Sequence, residues 1–272
     1  GLNQFDTSFM LSNSENESDP DPFNTEIGEV AIQVENLCKV FDGVRAVDRL
    51  SFMVPAGTLC ALLGANGAGK TTTLAMLLGL LIPSSGVIRI LGIDMVKDRY
   101  RALPRMNFTS PYVDLPHRLS VFQNLEIYAR LYGIRQPKRR ILKLADELTL
   151  GPLLKRPYGS LSAGQRTRVS LAKSLLNEPE VLLMDEPTAS LDPASAQMIR
   201  GYLREYQQKS RATVLLASHN MQEVERLCEN ILIMKKGRVM DRGTPEDLLR
   251  KYGRDTLEQV FIEISHDENS AF

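Results

Sequence analysis

The sequence has 272 residues, of which 43% are hydrophobic and 24% are charged, and its formal net charge is zero. This length and composition fit one large α/β domain with an inserted lobe. The balanced charge argues against a dedicated nucleic-acid binder, so no nucleic-acid partner is expected. No run of about 20 apolar residues occurs, which argues against a membrane-spanning helix in this sequence.

The first 28 residues differ in composition from the rest. Residues 1–30 contain seven acidic residues and no Lys or Arg. A segment rich in Ser, Asn, Asp and Glu buries too little apolar surface to offset the entropy of ordering, so we expect residues 1–28 to form a disordered acidic tail. No basic stretch followed by an apolar core occurs there, and a signal peptide is therefore not predicted.

From residue 29 onward, short β-rich runs alternate with helical patterns. Strands are predicted at residues 31–34, 50–54, 58–63, 87–91, 181–184, 213–217 and 231–234. Helices are predicted at residues 70–78, 121–132, 139–148, 166–176 and 193–209. This alternation predicts a parallel sheet covered on both faces. Residues 97–165 are mostly helical in pattern and are predicted to form an inserted subdomain.

A glycine-rich segment lies between the strand predicted to end at Leu63 and the helix that follows it. It fits the pattern GxxxxGK[ST] at every position, with Gly64, Ala65, Asn66, Gly67, Ala68, Gly69, Lys70 and Thr71, and Thr72 comes next. Such a loop points backbone N–H groups at phosphate oxygens. We expect Lys70 to reach the β- and γ-phosphates and Thr71 to hold Mg²⁺. The strand and helix on either side disfavour a chance glycine-rich turn, but GTPases, kinases and motors share this motif.

Two carboxylates, Asp185 and Glu186, end the apolar strand predicted at residues 181–184. Ligands bind at the carboxyl ends of the strands in parallel sheets. We expect Asp185 to hold Mg²⁺, directly or through water, and Glu186 to polarise the attacking water. The alternative is that both residues cap a helix ahead of Pro187. The apolar strand and the phosphate loop favour the functional interpretation.

The segment Leu161, Ser162, Ala163, Gly164, Gln165 precedes a predicted helix. Alone, it fits a Ser-capped helix. It lies between the phosphate loop and the carboxylates Asp185 and Glu186 in the sequence. In that order it resembles the LSGGQ signature of ATP-binding-cassette proteins, with Ala163 in place of the first glycine. The resemblance covers about residues 31–265. It implies a P-loop NTPase core with a parallel sheet flanked by helices, a small antiparallel β subdomain and an inserted α-helical subdomain.

The resemblance also implies an ATP-dependent dimer with two nucleotides at its interface. Ser162, Ala163, Gly164 and Gln165 would face the γ-phosphate held by a second ATPase subunit, which we take to be another copy of this chain. Asp192, within Ser190-Leu191-Asp192, resembles the carboxylate of the loop that communicates across the dimer. The expected ligands are ATP and Mg²⁺.

Two further positions resemble family residues, each with a structural alternative. His219 follows an apolar strand and resembles the switch histidine that contacts the γ-phosphate, although a lone histidine is more often structural. Phe41 resembles the aromatic residue that stacks on adenine, and the alternative is a core phenylalanine. With Lys70 and Glu186, His219 completes the expected catalytic set.

One position departs from the family pattern. The family has a glutamine between the phosphate loop and the signature, and Ser110 or Pro111 stands there in this sequence, with no glutamine before Gln123. A serine side chain is shorter than a glutamine side chain. We therefore expect slow turnover or a strong dependence of turnover on a partner.

The C-terminal stretch Thr256–Ile262 resembles the short tail of exporter-type ATPases. We expect an ATPase domain over residues 29–250 and a short extension over residues 251–272. The resemblance implies a peripheral subunit on the cytoplasmic face of the membrane that powers export through a separate integral membrane permease. The alternatives are a soluble cassette acting in translation or on DNA, and a weakly active regulatory cassette. A single cassette and the lack of long heptads disfavour the first.

Overall fold

The structure is a computed structural model that describes residues 29–189 and 191–266. The predicted acidic tail, residues 1–28, lies outside the described residues, as do Ser190 and residues 267–272.

Strands of the described chain form two sheets. In chain order they are β1 (Val30–Phe41), β2 (Val44–Pro55), β3 (Leu59–Leu63), β4 (Ser85–Ile90), β5 (Ile93–Asp94), β6 (Met106–Thr109), β7 (Val181–Asp185), β8 (Thr213–Ser218), β9 (Asn230–Lys235) and β10 (Arg238–Gly243). One sheet has the order β10-β9-β3-β8-β7-β6 and is parallel except for β10. The other has the antiparallel order β2-β1-β4-β5. Both sheets confirm the predicted fold class.

Helices cover the parallel sheet. They are α1 (Lys70–Leu77), α2 (Arg99–Ala102), α3 (Val121–Leu131), α4 (Pro137–Glu147), α5 (Ala163–Leu175), α6 (Pro193–Ser210), α7 (Met221–Leu227), α8 (Pro245–Tyr252) and α9 (Leu257–His266). Within residues 29–189 and 191–266, none of them has the length and apolar character that crossing a bilayer would need.

The parallel sheet separates two hydrophobic clusters. Successive side chains of a strand point to opposite faces. In β3, Leu59, Ala61 and Leu63 therefore join the cluster that contains α3, α4 and α5. Cys60 and Leu62 join the cluster that contains α1 and the antiparallel sheet. Burial on both faces explains why the central strands are continuous apolar runs.

Strand β6 lies inside the range with a mostly helical pattern and was not predicted. It pairs in parallel with β7, with Met106 opposite Val181 and Thr109 opposite Met184. The strand has only four residues, and Asn107 and Thr109 interrupt its apolar character. Its position is fixed by pairing with a strand more than 70 residues away, which local periodicity does not report.

The turn between β9 and β10 joins the two sheets beside the glycine-rich segment. The backbone N–H of Gly237 donates to Ala68 O at 2.9 Å, and the N–H of Asp48 donates to Gly237 O at 2.9 Å. Gly237 has φ +76°, and a Cβ there would lie 2.6 Å from Ala46 O. Only glycine fits this approach. The turn thereby holds residues 64–69 against β2.

The Asp48 carboxylate strengthens the same junction. It accepts a hydrogen bond from Arg45 at 2.8 Å and one from Arg238 Nε at 2.7 Å. The Arg45 hydrogen bond, followed by that from Arg238, lowers the pKa of Asp48 from 3.8 to about 2. Because Arg238 belongs to β10 and Asp48 to β2, the contact joins the two sheets.

We predict that Asp48→Asn destabilises the fold in a pH-dependent way. The lowered pKa of Asp48 stabilises the folded state above about pH 4, and this contribution disappears as pH falls toward 2. Urea midpoints should therefore differ between wild type and variant at pH 7, and the difference should shrink at pH 3. Asp98→Asn, at an exposed carboxylate, is the control. A difference that stays constant between the two pH values would contradict this role for Asp48.

Candidate active site

The glycine-rich segment forms a tight loop between β3 and α1. A Cβ on Gly64 would lie 2.6 Å from Met234 O, so the backbones approach too closely for any other residue. Gly69 precedes α1 with φ 101°, a left-handed conformation that favours glycine. Ala65, Asn66 and Gly67 are exposed. The loop and the start of α1, including Thr72, lie where the sequence pattern predicts.

Lys70 is folded over this loop. Its side chain is buried, and Nζ donates to Gly64 O at 2.7 Å and to Ala65 O at 3.1 Å. Burial lowers the pKa of Lys70, while nearby Glu186 and Asp185 oppose the shift. Both partners are neutral carbonyls, which bind an ammonium more weakly than phosphate oxygens do. The amine is therefore held beside the loop in a position to bind a polyphosphate.

Thr71 and Asp185 meet at the carboxyl end of β7. Thr71 Oγ1 donates to Asp185 Oδ2 at 2.9 Å. Asp185 is 3% exposed, and its Oδ1 has no hydrogen-bond partner. Burial raises the pKa of Asp185, against the Thr71 hydrogen bond and the charge of Lys70. A buried carboxylate oxygen beside a hydroxyl is a donor set that suits a hard divalent cation.

No cluster of three or more His, Cys, Asp or Glu side chains suited to a metal occurs in the part of the chain that the structure describes. Mg²⁺ is usually held by one or two carboxylates together with substrate phosphates. Thr71 and Asp185 supply one hydroxyl and one carboxylate, a set that fits Mg²⁺ bound together with a nucleotide.

Glu186 and His219 form a pair at the ends of β7 and β8. Glu186 Oε1 lies 2.8 Å from His219 Nδ1. The Glu186 side chain is 14% exposed and that of His219 is 53% exposed. Glu186 has φ 47°, which is unfavourable for a residue with a side chain, and its N–H donates to Ala217 O at 2.9 Å. The pair is thus one shielded carboxylate and one accessible imidazole.

The signature segment begins α5 with a capping box. Ser162 Oγ accepts from Gln165 N at 3.3 Å, and Gln165 Oε1 accepts from Ser162 N at 3.0 Å. Ala163 is the first helical residue, in a right-handed conformation, so glycine is not required there. A Cβ on Gly164 would lie 2.9 Å from Ser195 Oγ, so a larger residue there would need the Ser195 side chain to move. Ser162 therefore caps helix α5, as the simpler structural alternative predicts, and Ser162 and Ala163 at the start of the helix are exposed.

Asp192 caps the neighbouring helix α6. Its Oδ1 accepts from Ala194 N at 3.1 Å and from Ser195 N at 3.0 Å. Because Gly164 contacts Ser195, the N-termini of α5 and α6 lie side by side. Among the described residues, no hydrogen bond or ion pair joins the signature segment to the phosphate loop. Asp192 therefore lies beside the signature segment. Within the part of the chain that the structure describes, neither of them forms a hydrogen bond or an ion pair with Lys70.

Phe41 ends β1 and is 43% exposed, which contradicts the alternative of a core phenylalanine. Lys39 Nζ lies 5.1 Å from its ring centroid. Ser110 follows β6, is buried, and accepts from Tyr112 N at 3.2 Å. Gln123 belongs to the capping box of α3 with Ser120. Ser110 and Gln123 thus both serve local turns or caps.

Three residues near the Glu186–His219 pair were missed by the sequence analysis. Thr188, Ser218 and Glu223 are buried, and the hydroxyl groups of Thr188 and Ser218 both donate to the Glu223 carboxylate. The one available signal was Glu223, a carboxylate beside Val224 on the apolar side of α7. A charged residue at an apolar helical position indicates a buried polar network.

Comparisons with known proteins agree with this geometry. The sequence model of the family described as ABC transporter matches residues 47–189. The Nod factor export ATP-binding protein I of Ralstonia nicotianae is 37% identical over 84% of this chain and 71% of its own length. The probable multidrug ABC transporter ATP-binding protein YbhF of Escherichia coli is 33% identical over 88% of this chain, which spans 42% of that protein's length. A solved ATP-binding subunit of an ABC transporter has a TM-score of 0.78 and 27% identity, covering 86% of this chain and 99% of its own.

We predict that Lys70→Ala weakens nucleotide binding. A charge-assisted hydrogen bond contributes about 1.5–3 kcal/mol, so affinity for ATP should fall about 10- to 100-fold. Titration calorimetry with a non-hydrolysable ATP analogue measures the change. Lys155→Ala, at an exposed lysine, should bind as wild type does. Equal affinity of Lys70→Ala and Lys155→Ala would remove Lys70 from the site.

Proposed function

We propose that this chain, which belongs to the ABC transporter family, hydrolyses ATP as a dimer to power export through a separate membrane permease. The proposal rests on one observation: three sets of polar side chains lie at the carboxyl ends of the adjacent strands β3, β8 and β7. Lys70 lies over the loop after β3, Thr71 contacts Asp185 after β7, and Glu186 contacts His219 after β8. Phosphoryl transfer to water needs a cation for the phosphates, a metal site and a water-polarising base in one place.

Nucleotide binding follows from the loop and from Phe41. The exposed loop residues Ala65, Asn66 and Gly67 and the N-terminus of α1 suit phosphate oxygens. Lys70 would exchange two carbonyl contacts for phosphate contacts. The exposed face of Phe41 would stack on adenine. Thr71 and Asp185 would hold Mg²⁺, which when bound neutralises phosphate charge.

The chemical step would belong to Glu186 and His219. Glu186 would orient and polarise the attacking water, since its carboxylate is shielded at the end of β7. His219 contacts that carboxylate through Nδ1, which leaves Nε2 for the γ-phosphate. Positioning and electrostatic stabilisation account for most of the rate enhancement in this class of reaction.

A second copy of the chain would complete each site. The N-terminus of α5, with Ser162, Ala163, Gly164 and Gln165, would bind an anion through the positive end of the helix. In the described part of the chain, no hydrogen bond or ion pair joins it to the phosphate loop. Asp192 lies beside it at the start of α6. Head-to-tail pairing would place this surface against the γ-phosphate of the partner's nucleotide, so that ATP stabilises the closed dimer and hydrolysis releases it.

The export role rests on the relatives and on the C-terminal stretch. Two relatives are named as an export ATP-binding protein and a probable multidrug transporter ATP-binding protein. Residues 256–262, the tail-like stretch, fall mostly within helix α9. We place the working subunit at the cytoplasmic face of the membrane, bound to its permease. The alternatives are a cassette without a transport partner and a weakly active regulatory cassette.

We predict that Glu186→Gln binds ATP and accumulates as a closed dimer. The amide keeps the size of the side chain but removes the base, so kcat should fall about 100- to 10,000-fold. Light scattering after gel filtration with Mg-ATP reports the dimer, and phosphate release reports turnover. Glu205→Gln, at an exposed carboxylate on α6, is the matched control. Normal turnover by Glu186→Gln would remove Glu186 from its assigned role.

Turnover of the free subunit should be slow and should rise when its permease is present, because no glutamine stands at position 110 or 111. Native protein purified from mildly solubilised membranes would be identified with its partners by mass spectrometry and assayed with and without them. A stoichiometric multi-span partner that raises kcat supports the export role. Ribosomes, DNA or no partner would support the alternatives and leave the ATPase assignment in place.

A further inference from the structure

Glu223 is a buried carboxylate that the proposed mechanism does not use. It lies in α7 and is 3% exposed. Burial raises its pKa, against hydrogen bonds from Thr188 and Ser218. A buried carboxylate costs free energy unless its oxygens are hydrogen-bonded, so its partners indicate why it is there.

Both oxygens of Glu223 accept hydrogen bonds from hydroxyl groups. Thr188 Oγ1 donates to Oε1, and Ser218 Oγ donates to Oε2 at 3.1 Å. Ser218 Oγ also accepts from Asn220 N at 3.0 Å, and Asn220 Oδ1 accepts from Glu223 N at 3.1 Å. The carboxylate is thus bonded to two separate segments of chain and tied to the start of its own helix.

These two segments carry the Glu186–His219 pair. Thr188 lies two residues after Glu186, and Ser218 directly precedes His219. Glu186 has φ 47°, a conformation that a residue with a side chain keeps only when its surroundings hold it. Within the described residues, a turn bond from Ala189 N to Glu186 O and the Thr188–Glu223 contact hold the chain after Glu186.

The carboxylate of Glu223 indicates that this residue holds Thr188 and Ser218 in place rather than simply filling space in the core. An apolar side chain of similar size would avoid the cost of burying a carboxylate. A carboxylate, in contrast, can accept from two hydroxyl groups at the same time. The network therefore fixes the distance between the two segments in a way that packing alone does not.

We propose that Glu223 is a positioning residue that holds Glu186 and His219 in the geometry for ATP hydrolysis. The inference rests on the proposed ATPase function. Glu223 acts through Thr188 and Ser218, and among residues 29–189 and 191–266 no hydrogen bond or ion pair joins it to the phosphate loop or to Asp185. Its loss should therefore lower kcat and leave nucleotide affinity nearly unchanged.

The test compares Glu223→Ala, Glu223→Gln and Glu225→Ala in the full chain. Glu225 lies on the same helix and serves as the matched control. We expect kcat of Glu223→Ala to fall about tenfold or more, with KM and the Kd for a non-hydrolysable ATP analogue within about threefold of wild type. Glu223→Gln should recover most of kcat, since its amide oxygen accepts from one hydroxyl and its amide N–H donates to the other. Glu225→Ala should match wild type.

Histidine NMR on the nucleotide-free protein gives a readout that does not depend on turnover. The chain has three histidines, so the ring signal of His219 is assignable with a His219→Ala variant. In Glu223→Ala this signal should move toward its position in Glu186→Ala, where the pair is broken. Thr188→Val, which removes one hydroxyl donor and keeps the side-chain volume, should move it in the same direction if Glu223→Ala folds poorly.

A double-mutant cycle separates positioning from general destabilisation. In a His219→Ala background, Glu223→Ala should lower kcat by much less than it does in wild type, because the pair it positions is already broken. An undiminished effect there, an unmoved His219 signal, or a parallel loss of nucleotide affinity would overturn the proposal. Wild type that fails to hydrolyse ATP would instead refute the proposed function, and active wild type with an equally active Glu223→Ala would refute only this inference.

Discussion

The parallel pairing of β7 with β8 is the constraint on which the candidate site depends. Asp185 lies opposite Ala217, and the N–H of Glu186 extends the pairing to Ala217 O. This register places Glu186 beside His219 and leaves Asp185 facing Thr71. A slip of one residue would turn these side chains to the opposite face of the sheet. Both strands are buried on both faces between the two hydrophobic clusters, so such a slip would also force the close-packed side chains of both clusters to rearrange.

The sequence could predict those parts of the fold and the candidate site that depend on residues close together in the chain. The phosphate loop was predictable because all its residues fall within one short sequence motif between a strand and a helix, and Gly69 has a left-handed φ that favours glycine. The central strands were predictable as apolar runs between turns. Strand β6 and the contact between Thr188 and Glu223 were not, because each depends on residues more than 30 positions apart in the sequence. Periodicity reports which face of an element is buried, and it does not report what lies against that face.

The two departures from the family pattern differ in physical meaning. Ala163 replaces a glycine at the first position of α5, where the backbone is right-handed, so the substitution fits the helix. Gly164 lies beside Ser195 at the start of α6, where a Cβ would need the Ser195 side chain to move. Ser110 stands at or beside the position where the family has a glutamine, and its hydroxyl accepts from Tyr112 N. A serine side chain is shorter than a glutamine side chain, so this departure shortens the reach of the polar group at that position, whereas Ala163 leaves the start of α5 helical.

The buried charged groups near the site are satisfied in different ways, and the difference separates their roles. Lys70 donates to carbonyls of its own loop, which a stronger acceptor can replace. Glu223 accepts from two hydroxyls and has both oxygens occupied, as expected for a group that holds other groups in place. Asp185 accepts at Oδ2 but has no partner at Oδ1, and among the described residues this is the one buried carboxylate oxygen left without a hydrogen bond. Because an unpaired buried oxygen raises the free energy of the folded chain, Asp185 is the group that a bound cation would stabilise most under the proposed function.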